Sequence, residues 1–324
     1  MVSHCFARGA RGFLVLVGVF AIMTGTAAAA AKIRAGTPEP TAFVFSALDV
    51  GIEGGFFKKY GLDVERIDFA GGAKLHQAMT AGDLDMIVGT GSDMLFLARG
   101  APEKAVAAYG NDLRSLSLIV LKDSPIKSLA DLKGKTIGVT TTASFTSWIA
   151  RQLSIHEGWG PNGVKVASLG NMSGIVAGMM AKNVDAIIGT TAAGLKLESE
   201  GRARIIVTAG DVITDFIADM IYTSDAMMQH HPDQVRGFLR GWFDTIAFMK
   251  THKAETIRMT QKDTHLPDAI AARIYDAEMP TFFSDGHFDR KKLAAVKQSL
   301  VDLGLVKKMP PDSKLITEAY LPKP

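Results

Sequence analysis

Residues 82–92 read GDLDMIVGTGS, and residues 183–191 read NVDAIIGTT. In each, a helix-compatible run (LHQAMTAG, VAGMMAK) leads to an aliphatic residue and Asp, Leu84-Asp85 and Val184-Asp185. A short apolar stretch and then Gly-Thr follow, Gly89-Thr90 and Gly189-Thr190. Asp85 matches Asp185 and Gly89 matches Gly189, so the offset is constant. Each copy predicts a helix, a turn, a buried strand entered through Asp, and a small-residue loop at the carboxyl end of that strand. In open α/β sheets that end is where ligands sit. Two such units predict two similar α/β lobes whose loops face one cleft.

The chain has 324 residues, 47% hydrophobic and 21% charged, enough for two cores and unlike a disordered or fibrous chain. The amino terminus differs from the rest. Arg8 and Arg11 precede an apolar run over residues 13–23, and TGTAAAAA follows. A positive flank, a short apolar core and a small-residue exit are the order of a secretory signal peptide, with cleavage expected near Ala29 to Ala31. The apolar run is shorter than the roughly 20 residues a spanning helix needs, so residues 1–31 are expected to be removed rather than to anchor the chain. Cys5, the single cysteine, lies in that segment. It does not end the apolar run, so no lipid anchor is expected, and the mature chain would hold no thiol, disulfide or thiolate metal site. The first 31 residues hold two basic and no acidic groups, so 34 of the 36 basic residues remain against 33 acidic ones. That balance argues against a nucleic-acid partner, which needs a concentrated basic face.

Along the chain, TAFVF at 41–45 is predicted as the first strand and SALDVGIEGGFFKKY at 46–60 as a loop and helix ending at Gly61. LDVERIDF predicts the second strand, ending in Ala70-Gly71-Gly72. A helix starting at Ser92 and strands near 104–109 and 115–121 follow, which together indicate a mostly parallel sheet covered on both faces. The pattern resets at KDSPIKSLADLKGK (122–135), predicting passage into a second lobe over 124–215, with the first lobe formed by 38–121 and 219–308. The crossings are expected at 119–124 and 215–222. Beyond His231, Val235, Phe238, Leu239, Trp242, Phe243, Ile246 and Met249 form one apolar helical stripe after Pro232, and Leu293, Val296, Leu300 and Leu303 form another. Residues 309–324 are expected to be a loose tail.

Three chemistries are disfavoured. His230 and His231 are adjacent, without the three- or four-residue spacing of metal ligands on a helix face. Gly89-Thr90-Gly91 has Met94 where the dinucleotide fingerprint needs its third glycine. Ser92 has Thr90 where a nucleophile elbow needs glycine. No metal, cofactor or catalytic residue is therefore expected. What remains is a set of hydroxyl- and glycine-rich loops: Ser46, Gly71, Gly72, Thr90, Gly91, Ser92, Thr141, Thr142, Ser144, Asn171, Thr190 and Thr191, with Leu48 beside the first and Asp211 at the end of RARIIVTAGD. Such loops offer backbone amides, hydroxyls and the positive end of a helix dipole to a small polar or anionic ligand. Taken singly, each Ser or Thr is equally accounted for as a helix cap.

GFF-x-K-x-GLDV at 55–64, AGDLDMIVGTGSD, SL-x-DLKGK-x-IGV at 128–139 and AGMMAKNVDAIIGT occur in an order that resembles the nitrate/sulfonate/taurine group of periplasmic solute-binding proteins of ABC importers, SsuA- and TauA-like, over residues 38–305. The resemblance implies a type II periplasmic-binding-protein-like α/β clamshell of two lobes joined by two crossing hinge strands, with added C-terminal helices. It also implies a ligand such as a sulfonate, nitrate or carboxylate in the cleft, delivery to an ABC permease and ATPase, a monomer in the periplasm, and no catalysis. A sensor for a membrane signalling partner, or a binder of a pyrimidine-type precursor, shares the same fold expectation. The cysteine-rich motif of the thiamin-precursor enzyme of that superfamily is absent from the expected mature chain.

Overall fold

Asp85 and Asp185 occupy equivalent places in two sheets. The Asp85 carboxylate accepts from the Arg34 amide at 2.8 Å while its own amide donates to the Arg34 carbonyl. Asp185 does the same with Thr136, again at 2.8 Å. Each aspartate thus fixes the register of one strand against its parallel neighbour.

The computed structural model describes residues 1–4, 30–40, 42–264 and 266–323, so the expected leader at 5–29, with Cys5, Arg8 and Arg11, lies outside the described residues. The strands are β1 (Ala31–Thr37), β2 (Leu62–Asp68), β3 (Met86–Thr90), β4 (Glu103–Gly110), β5 (Leu116–Leu121), β6 (Thr136–Val139), β7 (Lys165–Ser168), β8 (Ala186–Thr190), β9 (Ala203–Thr208) and β10 (Asp219–Ser224). The first sheet has the order β2-β1-β3-β10-β4 and the second β7-β6-β8-β5-β9. The two orders match position for position. In each, the fourth strand, β10 or β5, runs antiparallel to both neighbours, while the other strands share one direction. The expected parallel sheet therefore holds apart from one reversed strand per lobe.

Helices cover these sheets: α1 (Phe43–Glu53), α2 (Gly72–Ala81), α3 (Met94–Ala98), α4 (Phe145–His156), α5 (Met172–Met180) and α6 (Thr191–Ser199). Then come α7 (Asp225–His230), α8 (Pro232–Thr251), α9 (Lys253–Thr264), α10 (Asp268–Glu278), α11 (Arg290–Asp302) and α12 (Asp312–Leu315). The apolar stripe of α8 is buried along its length, and Leu293, Val296 and Leu300 of α11 are buried as well. Trp148 of α4 donates to Ser299 of α11 at 3.1 Å and packs on Phe216, so the added helices brace both lobes. Among the described residues, no helix is long and apolar enough to cross a membrane.

Three expectations fail for identifiable reasons. Residues 43–45 open α1 instead of forming a strand, and β1 begins earlier, at Ala31. Phe43, Val44, Phe45, Ala47, Leu48 and Val50 are all buried, so α1 is apolar nearly all round and lacks the one-sided stripe that marks a surface helix. The passage between sheets falls at 111–115 and 209–218 rather than at 119–124 and 215–222, because β5 pairs with β8 and β9. Residues 122–135 are instead the turn between β5 and β6 inside the second lobe. The tail is not loose: Leu315, Ile316 and Leu321 are buried, and the Thr317 amide donates to the Ala105 carbonyl of β4 at 2.9 Å.

Truncating Leu315 to alanine is expected to cost about 2–5 kcal/mol, the usual range for a core leucine. Urea denaturation checks it, since an undocked tail would leave the midpoint unchanged.

Candidate functional site

The carboxyl ends of strands from both sheets meet across one gap. Gly71, Gly72, Thr90, Asp93 and Asp219 line it from the first lobe, and Ser115, Thr140, Ser144, Phe145 and Met172 from the second; its volume is ≈ 40 Å³. A β-carbon built on Gly71, whose φ is +88°, would lie 3.4 Å from the Thr140 hydroxyl, so the two rims nearly touch there. Ala42, Val44 and Phe45, from the start of α1, add an apolar wall beside Leu116.

Local chemistry shapes each rim. The Thr90 amide donates to Asp93 at 2.8 Å in a capping box, which holds Asp93 against the start of α2. Gly72 is obligatory at that point, because a β-carbon would sit 2.3 Å from Asp93 Oδ1. Tyr222 and Tyr109 donate from below to the carbonyls of Thr90 and Gly89, at 2.5 and 3.2 Å. In the second lobe, the Thr140 amide donates to Thr146 Oγ1 at 2.9 Å, and Ser144 caps α4 while donating to the Thr141 carbonyl at 2.7 Å.

Beneath Asp93 lies a buried charge network. His76 of α2 is 2% exposed, with Nδ1 2.9 Å from Glu103 and Nε2 3.6 Å from Asp93, beyond hydrogen-bond reach but within ion-pair range. Its ring stacks on Phe96 at 4.6 Å. Burial works against charge on this ring, but the two carboxylates outweigh it and hold the imidazolium up to about 9. Asp219 is in the opposite condition. It is 3% exposed, borders the gap, and is raised well above the usual carboxylate range by burial and by Glu278, Asp93 and Asp112. Glu278 is likewise pushed up to about 8 by burial and Asp112. Among the described residues, no group of three or more His, Cys, Asp or Glu is placed to hold a metal ion.

Residues 42–256, more than half of the chain, match the NMT1/THI5-like family model. The chain belongs to the NMT1/THI5-like family. No curated protein matches the sequence. A solved structure from Bordetella bronchiseptica RB50 is 24% identical, covers 90% of this chain and 95% of its own, and superposes with a TM-score of 0.73. The alkanesulfonate-binding protein SsuA from Xanthomonas axonopodis pv. citri, bound to MOPS, is 17% identical over 87% of this chain and 95% of its own, with a TM-score of 0.74. The desulfurization enzyme DSZB is 16% identical over 90% and 97%, with a TM-score of 0.63. These likenesses show the periplasmic-binding-protein fold, which accommodates both binding proteins and an enzyme.

In this NMT1/THI5-like chain the gap gathers Gly71, Gly72, Thr90 and Ser144 from the loops singled out in the sequence. Ser92 and Thr142 line a smaller adjoining pocket with Arg151, and Asn171 and Thr190 line a larger, more open one of ≈ 560 Å³ with Lys196 and Arg202, which Glu39, Pro40 and Leu266 border from the first lobe. The Asn171 and Thr190 side chains cap α5 and α6. Thr141 stands behind the rim with its hydroxyl buried and unpaired. The Thr191 hydroxyl donates to the Arg114 carbonyl at 2.6 Å, and Asp211 accepts from Thr208 at 2.5 Å beside Arg114. Gly91 presses on the second crossing, where a β-carbon would meet the Ile217 carbonyl at 2.0 Å. Ser46 and Leu48 are corrected: both are fully buried inside α1, away from the gap, because residues 43–45 are helical rather than a strand leading to a loop. Thr140 belongs to the hydroxyl-rich loop 140–144 of the sequence reading, whereas Asp93 and Asp219 have no part in that reading. The Thr-x-x-Asp spacing of Thr90 and Asp93 was a usable capping signal.

His76 carries a testable sign. Its folded-state value is raised from 6.5 to about 9, so its stabilising contribution is full below about pH 6.5 and is lost as pH rises through 9. The stability difference between the native chain and His76→Gln is expected to be largest near pH 6 and to shrink by pH 9, as measured by urea unfolding at a series of pH values.

Proposed function

We propose that the chain is an extracytoplasmic solute-binding receptor that captures a small polar solute between its lobes and hands it to an ABC permease. The observation that carries the reading is the gap bordered by Gly71-Gly72 and Thr90 of one lobe and by Thr140 and Ser144 of the other, with two chain crossings between them. A ligand touching both rims stabilises the closed arrangement only through contacts that the open one lacks. Export is part of this proposal and rests on the leader-like segment of the sequence, and no catalysis is proposed. Among the described residues no Lys, Arg or His lines the gap itself, and the cationic side chains of Arg151, Lys196 and Arg202 stand in the pockets that adjoin it.

The test is a thermal-shift screen of the chain lacking its leader, against sulfonates, nitrate, carboxylates, pyrimidines and amines. A ligand at about a hundred times its Kd adds about 2.7 kcal/mol, which raises Tm by several degrees in a chain of this size. The radius of gyration from solution scattering is expected to fall with the same ligand. A screen in which nothing raises Tm counts against a receptor.

A second outcome concerns export. The Ala31 amide donates to the Gly61 carbonyl at 2.9 Å as β1 begins. A cut that preserves this bond falls before Ala31, whereas removal of residues 1–31 as the sequence suggests would delete the donor, and intact-mass measurement of the secreted protein decides between them.

A further inference from the structure

Granting the receptor reading, we propose that the solute is an organic cation and that Asp219 receives its protonated nitrogen, an ammonium or amidinium group. Asp219 opens β10, directly after the chain returns from the second lobe, and its backbone is paired on both sides, with Thr90 and with Gly110. Its side chain is therefore held on rigid strands. The space it fills exists because residue 110 is glycine, where a β-carbon would lie 2.2 Å from Asp219 Oδ2. No hydrogen bond or ion pair from any described residue reaches this carboxyl group, although it is 3% exposed and borders the gap.

A buried carboxylate without a partner is costly, and proteins pair or neutralise such groups. The surroundings of Asp219 do the reverse. Glu278 at the end of α10, Asp112 in the first crossing and Asp93 after β3 all act on it with the same sign. Tyr109 on β4 and Tyr222 on β10 are the neutral titratable groups beside it. The nearby imidazolium of His76 is already engaged by Glu103 and Asp93. With no cation of the protein beside it, Asp219 holds its proton in the empty gap and ionises only when a solute brings the positive charge.

The amino termini of α1, α2, α4 and α5 border the gap at Ala42, Gly72, Ser144 and Met172, and a helix start favours anions with a field equal to about half a charge. Asp93 sits against the start of α2, Ser144 caps α4 and Asn171 caps α5. Once a cation has displaced the proton of Asp219, the full charge of that carboxylate opposes what remains of these partial ones. A metal ion is a poor match, since no cluster of ligands is placed for one. The apolar wall of Ala42, Val44, Phe45, Leu116 and Phe145 would meet a hydrocarbon body behind a charged nitrogen once the lobes part, since the ≈ 40 Å³ of the gap as it stands admits only water-sized groups.

Binding of a cation requires Asp219 ionised, whereas in the empty gap burial and its acidic neighbours keep its proton on. Cation uptake therefore releases a proton, and affinity rises with pH, by roughly up to tenfold per unit below the carboxyl's own value. An anion held by the protonated carboxyl would show the opposite slope. Glu278 is also pushed up, and Glu39 lines the same gap, so the effect of each has to be separated from that of Asp219.

The experiment uses matched skeletons: benzylamine, benzamidine and butylamine against benzenesulfonate, benzoate and butanesulfonate. Thermal shift is read from pH 5 to 8, and calorimetry of the best binder is run in buffers of different ionisation enthalpy. Cations are expected to raise Tm with a shift that grows with pH, and calorimetry to show proton release. Both effects are expected to vanish in Asp219→Asn and to persist in Glu278→Gln. Because Asp219 is unpaired, the Asp219→Asn chain should be at least as stable as the native one, which its own unfolding curve verifies. Should that variant fail to fold, proton release in the native chain remains as the deciding reading. Stabilisation by the anionic members alone overturns the assignment and leaves the receptor standing. Cation binding that is unchanged in Asp219→Asn overturns it as well, and the absence of any shift from cations or anions counts against both.

Discussion

The architecture depends on an exchange of hydrogen bonds made twice, between Asp85 and Arg34 and between Asp185 and Thr136. In each sheet it locks the strand that ends in Gly-Thr to its parallel neighbour, β1 in the first and β6 in the second. A slip of one residue would turn every side chain to the opposite face. The position of Thr90 and Thr190 at their helix starts is set by this register, and through Thr90 so is the placing of Asp93. The Asp85 clasp is reinforced by the Arg34 side chain, which donates to the same carboxylate at 2.8 Å. The Asp185 clasp has no such support from Thr136, whose side chain is too short to reach back.

Above that register, the lobes differ in how their rims are made. The first rim is thin because Gly71 and Gly72 leave no side chain over Asp93. The second is a mesh of hydroxyls, Thr140, Ser144 and Thr146, bonded to one another at 2.9 to 3.1 Å where they pair side chain to side chain. A hydroxyl both donates and accepts, so this mesh can redirect its protons without moving heavy atoms. The first rim has such a pair in Thr90 and Ser92 at 3.2 Å, and carries the carboxyl groups of Asp93 and Asp219 besides.

Much of the two-lobed plan was legible because repeats, glycine stops and amphipathic stripes are local signals. Gly61 adopts the left-handed conformation expected of it, and the α8 stripe from Val235 to Met249 is buried as its spacing foretold. What was not legible depended on distant partners. The run at 43–48 is buried on every side, so its composition resembles a strand, and Ser46 and Leu48 were carried into the candidate site with it. SLSLIVL is apolar whichever sheet it joins, and only its pairing with β8 and β9 decides between them. Asp219 has no motif around it. It matters because the chain leaves the first lobe, builds a second, and returns to lay that residue beside Thr90.

The last residues of the chain also have a bearing on its behaviour in company. β4 is the outer strand of its sheet, and Ala105 on it is met by Ile316 in a parallel bridge, with Thr317 donating to its carbonyl. An open strand flank offers a row of unpaired amides and carbonyls to any other chain with extended backbone. Here the molecule's own terminus occupies part of that row. A protein stored at high concentration would gain from such self-capping, since the same flank, stripped of its cover, is a template for strand-by-strand polymerisation.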